Sequence, residues 1–114
     1  MRTVTQLVEE PLRAAGLEVH PHDALVRVDG RTVVLSQREI DVLKALIERS
    51  GRLVRREELY ELAWGRTLRP GDRSVDVYVY RLRTKLANAS GGRVFIHTHH
   101  GLGYRFEPEP ATSR

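Results

Sequence analysis

Basic side chains recur along residues 72–86, which have the sequence DRSVDVYVYRLRTKL. An arginine guanidinium can donate two parallel hydrogen bonds, either to a phosphate or to O6 and N7 of guanine in the DNA major groove. Twelve residues farther on, residues 98–106 have the sequence THHGLGYRF, in which two glycines favour a tight turn between short strands. A basic segment followed by a hairpin suits a protein that places a helix in one DNA groove and a loop in the next. The pattern therefore indicates a DNA-binding module.

Charge is distributed unevenly along the chain. Residues 1–60 carry ten basic and ten acidic side chains, whereas residues 61–106 carry eight basic and three acidic ones, a net charge of +5. Such a surface suits a polyanion. A solvated basic face without a partner would have the same composition, so charge alone leaves both interpretations open.

Composition excludes several classes of protein. The 114 residues include no cysteine, which excludes thiolate catalysis, thiolate metal sites and disulfides. No apolar run approaches the roughly 20 residues of a membrane span, and the first residues do not resemble a secretory signal. We therefore expect a soluble, cytoplasmic protein with no membrane contact, long enough for one domain.

No catalytic constellation is evident. Ser36 is explained as a helix cap and Asp76 as an acid near a helix start, and neither a Gly-rich phosphate loop nor a pair of carboxylates stands out. His97, His99 and His100 are close in sequence, but neither cysteine nor a nearby carboxylate accompanies them. We predict that the chain is not an enzyme and holds no metal or other cofactor.

The N-terminal third predicts a weak helix over residues 4–15, interrupted at Pro11. A small antiparallel sheet is expected next, because short apolar runs alternate with turn-forming residues. Its predicted strands are residues 17–19, 24–28 and 31–35, with turns at 20–23 and 29–30.

Two helices follow this sheet. Ser36 and Glu39 form a capping-box pattern, so the first helix begins at Ser36, and Gly51 predicts its end. Its apolar stripe consists of Ile40, Leu43, Leu46 and Ile47. The second helix is expected over about residues 55–63 without a capping side chain, because Arg55 occupies the cap position. The side chains expected to face inward from it are Leu59, Leu62 and Trp64.

The segment 73–86 fits two patterns. Valines at 75, 77 and 79 alternate as in a strand, whereas Val75, Val79, Leu82 and Leu86 have helical spacing. Fourteen residues without glycine or proline are long for a strand, which favours a helix. The helix would bury those four positions and expose Arg73, Val77, Tyr80, Arg81 and Thr84.

Residues 35–106 resemble the winged-helix effector domain of OmpR/PhoB-type response regulators of two-component systems. The resemblance rests on motifs in matching order and spacing: Trp-Gly at 64–65, Asp-Arg-x-Val-Asp-Val at 72–77 and Gly-x-Gly-Tyr-Arg-Phe at 101–106. It implies an α+β winged helix-turn-helix with a small N-terminal antiparallel sheet, three helices and a C-terminal β-hairpin wing. It also implies that the ambiguous segment is a helix.

The resemblance implies which residues bind double-stranded DNA. Residues 73–86 would be the recognition helix in the major groove, with Val77 and Arg81 as base readers, and residues 97–104 the wing at the minor groove. The remaining residues implied to bind DNA, through phosphate contacts or orientation, are Arg73, Ser74, Tyr78, Tyr80, Arg83, Lys85, Thr98 and His100.

Two of these residues depart from the family pattern. His100 stands where the family most often has an arginine that enters the minor groove, so wing binding is expected to be weaker or to strengthen as pH falls toward roughly 6.5. Tyr80 replaces a small or basic residue and could stack, pack or block a phosphate contact. A winged-helix protein-interaction module with weak or non-specific DNA binding, using Trp64, Tyr78 and Tyr80, is therefore the alternative function.

The resemblance also implies partners and domain limits. The loop with Arg66, Thr67, Leu68 and Arg69 corresponds to the family's loop that contacts RNA polymerase, and the family binds DNA as a tandem homodimer. We expect the winged-helix domain at residues 17–107 and a flexible tail at 108–114. Residues 1–16 would be an extension or the remnant of an upstream domain. Residues 1–19 are too few for the family's receiver domain, so the chain is either a fragment, which we favour, or a stand-alone regulator.

Overall fold

The computed structural model describes residues 11–109, which form two antiparallel sheets and three helices. The N-terminal sheet has four strands in sequential order, β1-β2-β3-β4. These strands are β1 at Leu12–Ala14, β2 at Leu17–His20, β3 at Leu25–Val28 and β4 at Arg31–Val34. The three strands predicted for this sheet are confirmed as β2, β3 and β4, and the predicted turn at 29–30 connects β3 to β4.

The helix predicted over residues 4–15 is wrong where the structure describes it. Leu12 pairs with Val19 in an antiparallel ladder instead. The reason is the turn between these strands, in which Ala15 and Gly16 have φ of 51° and 88°, the geometry of a two-residue hairpin. The sheet therefore begins before residue 17, and the part of the prediction over residues 4–10 lies outside the described residues.

The three helices are α1 at Gln37–Ile47, α2 at Arg56–Trp64 and α3 at Ser74–Ser90. The capping box of α1 is confirmed, since the Glu39 amide donates to Ser36 Oγ over 3.2 Å and the Ser36 amide to Glu39 Oε1 over 2.8 Å. The helix ends at Ile47, four residues before Gly51, because a series of turns connects it to the next strand. As predicted, Arg55 occupies the N-cap position of α2, and its side chain makes no capping hydrogen bond.

The core lies between the helices and the two sheets. Val75, Val79, Leu82 and Leu86 of α3 are buried, so the predicted stripe is confirmed. The expectation that Leu62 faces inward is wrong, because its side chain is 43% exposed. Helix α2 turns a different stripe toward the core, formed by Leu59, Tyr60 and Ala63.

The C-terminal sheet has three strands in the order β5-β7-β6. These strands are β5 at Leu53–Arg55, β6 at Ile96–His99 and β7 at Gly103–Phe106. The β6–β7 hairpin is the predicted wing, with its tip at residues 100–102. Gly103 begins the central strand, β7, and its backbone lies very close to β5. A Cβ at this position would collide with the carbonyl oxygen of Val54 and lie 2.8 Å from Arg55 Cα.

Arg93 connects the two sheets. Its Nη1 lies 2.9 Å from Asp29 Oδ1, its Nη2 donates to the carbonyl of Ala15 over 2.8 Å, and its guanidinium stacks 4.7 Å from the ring of Phe95. The N-terminal sheet is thereby fixed to the base of the wing. Within residues 11–109, no helix is long and apolar enough to cross a membrane.

Candidate nucleic-acid interface

Helix α3 turns one face to solvent opposite its buried stripe. Val77 is 42% and Tyr80 is 68% exposed there, although both are large apolar or aromatic residues. Arg73, Arg81 and Thr84 are also exposed, so the five residues predicted on this face are all on it. The face combines cations with apolar groups, which is the chemistry needed to contact base edges and thymine methyls.

Arg81 differs from the other cations of α3. Among residues 11–109, no hydrogen bond or ion pair to its guanidinium is present, and its only close partner is the ring of Tyr78, 5.1 Å from Cζ. A stacked guanidinium keeps its N–H donors directed outward in its own plane. Arg81 can therefore present a free pair of donors to a planar acceptor such as a guanine edge.

The neighbouring cations have partners within the protein. Arg83 Nη1 lies 2.7 Å from Thr98 Oγ1 and 3.2 Å from the Ile96 carbonyl oxygen, which connects α3 to the wing. Lys85 Nζ lies 2.8 Å from Glu39 Oε1. These contacts give Arg83 and Lys85 structural roles that the sequence did not predict, and the same contacts compete with the phosphate contacts that the family resemblance implied for the two side chains.

Between the start of α3 and the wing lies an open cleft. Arg73, Arg83, Thr98 and His100 all line it, so the structure brings these four predicted site residues together. The other predicted site residues of α3 apart from Ser74 do not line it; these are Val77, Tyr78, Tyr80, Arg81 and Lys85. Ser74, another predicted site residue, is occupied in starting the helix: its amide and hydroxyl donate to Asp72 Oδ1 over 2.8 and 2.6 Å. These two bonds hold the pKa of Asp72 below its usual value.

Asp76 is the centre of a network at the floor of this cleft. Arg56 donates to it twice, from Nε over 3.2 Å and from Nη2 over 2.7 Å, and the Tyr104 hydroxyl donates to the same carboxylate. Burial raises the pKa of Asp76, but the bonds from Tyr104 and Arg56 outweigh it and hold the pKa below its usual value. Burial and the bond to Asp76 raise the pKa of Tyr104 to about 12. Helix α2, helix α3 and the wing are therefore joined at one carboxylate.

The sequence did not single out Arg56 or Tyr104 as contributors to the site, and it explained Asp76 only as an acid near a helix start. A helix propensity argument places Asp76 correctly but cannot identify partners from other elements. The nearest sequence signal was the motif in which Asp76 follows Arg73 by three residues; the two side chains approach to 3.7 Å.

Glu39 is the one buried charged residue described, with 2% of its surface exposed. Burial raises its pKa, but hydrogen bonds from Lys85 and from the Ser36 amide outweigh it, so the pKa lies below the usual 4.5. The carboxylate thus serves both the α1 cap and the attachment of α3. This double use fixes the second half of α3 against α1.

The loop between α2 and α3 is partly anchored. Arg66, Thr67 and Arg69 are exposed, whereas Leu68 is half-buried and packs against the core. The loop therefore presents two arginines on a fixed base. Among the histidines, His97 Nε2 lies 2.9 Å from the Glu107 carbonyl oxygen, and no group of three metal-ligating side chains occurs within residues 11–109.

The comparisons with known proteins agree with this geometry. The model of the family described as "Transcriptional regulatory protein, C terminal" matches residues 30–106. Sensory transduction protein RegX3 of Mycobacterium tuberculosis is 35% identical over 91 residues, 80% of this chain and 39% of RegX3. Transcriptional regulatory protein PrrA of the same organism is 37% identical over 95 residues, 83% of this chain and 40% of PrrA. The chain thus spans about two fifths of the length of these relatives.

Solved structures give the same result. The DNA-binding domain of CpxR from E. coli superposes with a TM-score of 0.76 at 29% identity, covering 91% of this chain and all of that one. The Klebsiella pneumoniae RstA DNA-binding domain in complex with the RstA box also superposes with a TM-score of 0.76, at 32% identity, covering 89% of this chain and all of that one. The predicted α+β winged-helix fold is confirmed.

Proposed function

Because the chain belongs to the family of transcriptional regulatory protein C-terminal domains, as its sequence resemblance predicted, we propose that it binds double-stranded DNA sequence-specifically as part of a bacterial transcription regulator. Helix α3 enters the major groove and the wing lies at the minor groove. The function is binding rather than catalysis, and it is exercised in the cytoplasm, where bacterial DNA is located.

One observation carries the proposal: Arg81 is exposed on α3 with no anionic partner in the described part of the chain. An unpaired guanidinium needs no internal bond to be broken before it reaches a base. Val77, four residues earlier on the same face, adds an apolar contact suited to a thymine methyl. Arg81 and Val77 therefore supply direct readout.

Phosphate contacts come from the cleft beside the wing. Arg73 is exposed and only loosely paired, at 3.7 Å from Asp76, so it remains available to a phosphate. Thr98 and His100 of the wing line the same cleft. Arg83 reaches a phosphate only if it exchanges or shares its bonds to the wing, which makes it chiefly an orienting residue. Such contacts position the protein and carry no sequence information themselves.

Further partners of the whole regulator belong to the same proposal. Arg66, Thr67 and Arg69 project from the loop anchored by Leu68, and we assign RNA polymerase to this surface. A second copy binds the adjacent DNA half-site in tandem. The RstA domain of similar fold has been solved in complex with its DNA box, which supports DNA as the principal partner.

The test is selection of the protein against a randomised duplex library at near-physiological salt, followed by sequencing of the bound pool. We expect an enriched motif containing a G·C pair whose preference disappears in Arg81→Ala, at a cost of about 1 to 3 kcal/mol. Arg31→Ala is the charge-matched control, since Arg31 is exposed on β4 of the other sheet. A wild-type pool without any motif would contradict sequence-specific binding.

A further inference from the structure

Side chains from all three helices stack in a row that ends at Arg81. The rings of Trp64 and Tyr78 meet edge to face, with centroids 5.5 Å apart and an interplanar angle of 78°, and the Arg81 guanidinium lies 5.1 Å from the centroid of Tyr78. On its other side, Trp64 stacks on Tyr60 at 4.6 Å and 6°, and the Arg38 guanidinium lies 4.8 Å from the Trp64 ring. The row connects the core to the exposed face of α3.

Each member of this row limits the motion of the next. Arg38 is itself anchored, because its Nη1 donates to the Ala63 carbonyl at the end of α2. Tyr60 is buried, and Trp64 and Tyr78 are half-buried against the core, so the Tyr78 ring cannot swing away freely. Tyr78 and Arg81 are three residues apart on one helix, the spacing at which side chains become neighbours. The final guanidinium therefore rests on a fixed surface.

A fixed surface matters for an arginine that reads a base. The arginine side chain has several rotatable bonds and loses their freedom when it forms a bidentate hydrogen bond. Holding it beforehand reduces that loss and favours one base position over others. Within residues 11–109, the only close partner of the Arg81 guanidinium is the ring of Tyr78. The ring therefore orients the guanidinium while all its N–H donors remain free.

We propose that Tyr78 is a positioning residue for base recognition: its ring holds the Arg81 guanidinium, and it determines specificity through Arg81 rather than through a hydroxyl bond to phosphate. This inference rests on the proposed DNA binding. It refines the expectation that Tyr78 serves phosphate contacts and orientation, because the ring and not the hydroxyl is assigned the role.

The experiment compares Tyr78→Phe, which keeps the ring, with Tyr78→Leu, which removes it. Affinities of the full chain are measured for the duplex selected by the wild type and for duplexes with each base pair replaced. We expect Tyr78→Phe to discriminate like the wild type. Tyr78→Leu should lose about two- to fivefold in discrimination, confined to the base pair at which Arg81→Ala loses it. Adding Tyr78→Leu to Arg81→Ala should cause no further loss at that pair.

Other outcomes overturn the inference. If Tyr78→Phe and Tyr78→Leu weaken all duplexes equally, the hydroxyl contacts the backbone. If Tyr78→Leu leaves discrimination unchanged, the stack has no part in recognition, although the proposed DNA binding stands. A wild-type pool without a motif contradicts both proposals, so the two failures are distinguishable.

A second measurement is independent of DNA and of the stability of Tyr78→Leu. In the wild-type protein, the Arg81 Nε–H resonance should be shifted upfield by the ring current of Tyr78, and should keep that shift in Tyr78→Phe. A resonance at the position of a free arginine in the folded wild type would overturn the proposal.

Discussion

Asp76 of α3 is bound by Arg56 of α2 through both carboxylate oxygens, at 3.2 and 2.7 Å. Because Tyr104 of the wing donates to the same carboxylate, α3 is fixed to α2 and to the wing at one point. The contact lies at the first turn of α3, next to the cleft lined by Arg73 and His100. The distance between α3 and the wing is thereby fixed within the protein itself, as the proposed binding to two DNA grooves requires.

Asp76→Ala should lower the free energy of unfolding by about 1 to 3 kcal/mol, because it leaves the half-buried Arg56 and the Tyr104 hydroxyl without their acceptor. Urea unfolding at neutral pH measures the effect. Asp23→Ala, in an exposed turn of the N-terminal sheet, is the matched control and should change stability by less than about 0.5 kcal/mol. Equal effects for the two variants would show that the network does not stabilise the fold.

Acid should destabilise the protein through Glu39 and Asp76. Both pKa values are lower in the folded protein than the usual values of 4.5 and 3.8. Their stabilising contribution is therefore present above the unfolded-state pKa and is lost as pH falls through the folded-state pKa. Urea unfolding measured from about pH 6 down to about pH 2, a range that spans both values, should show the free energy of unfolding falling as the pH falls.

Glu39→Gln isolates one part of this acid effect. Glutamine retains the capping box but cannot titrate. The free energy of unfolding of the variant should therefore fall less steeply than that of the wild type below about pH 5, where a glutamate begins to be protonated. Glu61→Gln, at an exposed position of α2, should behave like the wild type. Identical slopes in all three proteins would contradict a role for Glu39 in the acid transition.

Alkali should affect the fold through Tyr104. Its pKa is about 12, above the usual 10.0, so its contribution to stability is complete below pH 10 and is lost as pH rises toward 12. Ultraviolet absorbance of the phenolate should show a late titration step that is absent from Tyr104→Phe. If the wild type shows no titration step later than those of Tyr104→Phe and differs from it only in the total absorbance change, the bond to Asp76 does not persist in solution.

Local patterns were sufficient to predict most of the fold. The Ser36–Glu39 capping box involves residues three apart, and the buried stripe of α3 repeats every three or four residues, so both can be recognised within a single element. The N-terminal hairpin was missed because Ala15 has a positive φ that its residue type rarely adopts. The apolar spacing over residues 4–15 suggested a helix, but in the structure Leu12 pairs with Val19 as part of a strand.

Contacts between distant residues account for what the sequence did not predict about the site. Arg56 and Asp76 are 20 residues apart, Asp76 and Tyr104 are 28 apart, and Glu39 and Lys85 are 46 apart. Nothing in the local sequence indicates which cation meets which acid. The residues alone could therefore name the cations of α3 but could not separate those with partners within the fold from the unpaired Arg81, which only the family resemblance singled out as a base reader.

Lys85 provides a test of that separation. Lys85→Ala should lower the free energy of unfolding by about 2 kcal/mol, because Glu39 would remain buried without its cation. Thr84→Ala, at the preceding exposed position, should have little effect. We expect the salt dependence of DNA binding to be the same in Lys85→Ala as in the wild type. A reduction of the salt slope by about one would show instead that this ammonium contacts a phosphate.

Gly103 allows the wing to pack against β5. Its side-chain position faces the carbonyl oxygen of Val54, and backbone on both sides of the contact leaves a methyl group no space. Gly103→Ala should therefore separate β7 from β5 and lower the free energy of unfolding by about 3 kcal/mol. Hydrogen exchange of the Val54 and Tyr104 amides should accelerate with it, since their strands pair directly.

The control for this variant is Gly101→Ala at the wing tip. No atom lies within 4 Å of a Cβ there, but φ is +78°, so the cost is backbone strain of about 1 kcal/mol and strand pairing should persist. Equal destabilisation and equal exchange rates in the two variants would mean that the close approach of β7 to β5 is not maintained in solution. A larger effect at Gly103, together with weaker DNA binding by the fraction that remains folded, would show that this packing holds the wing in its binding position.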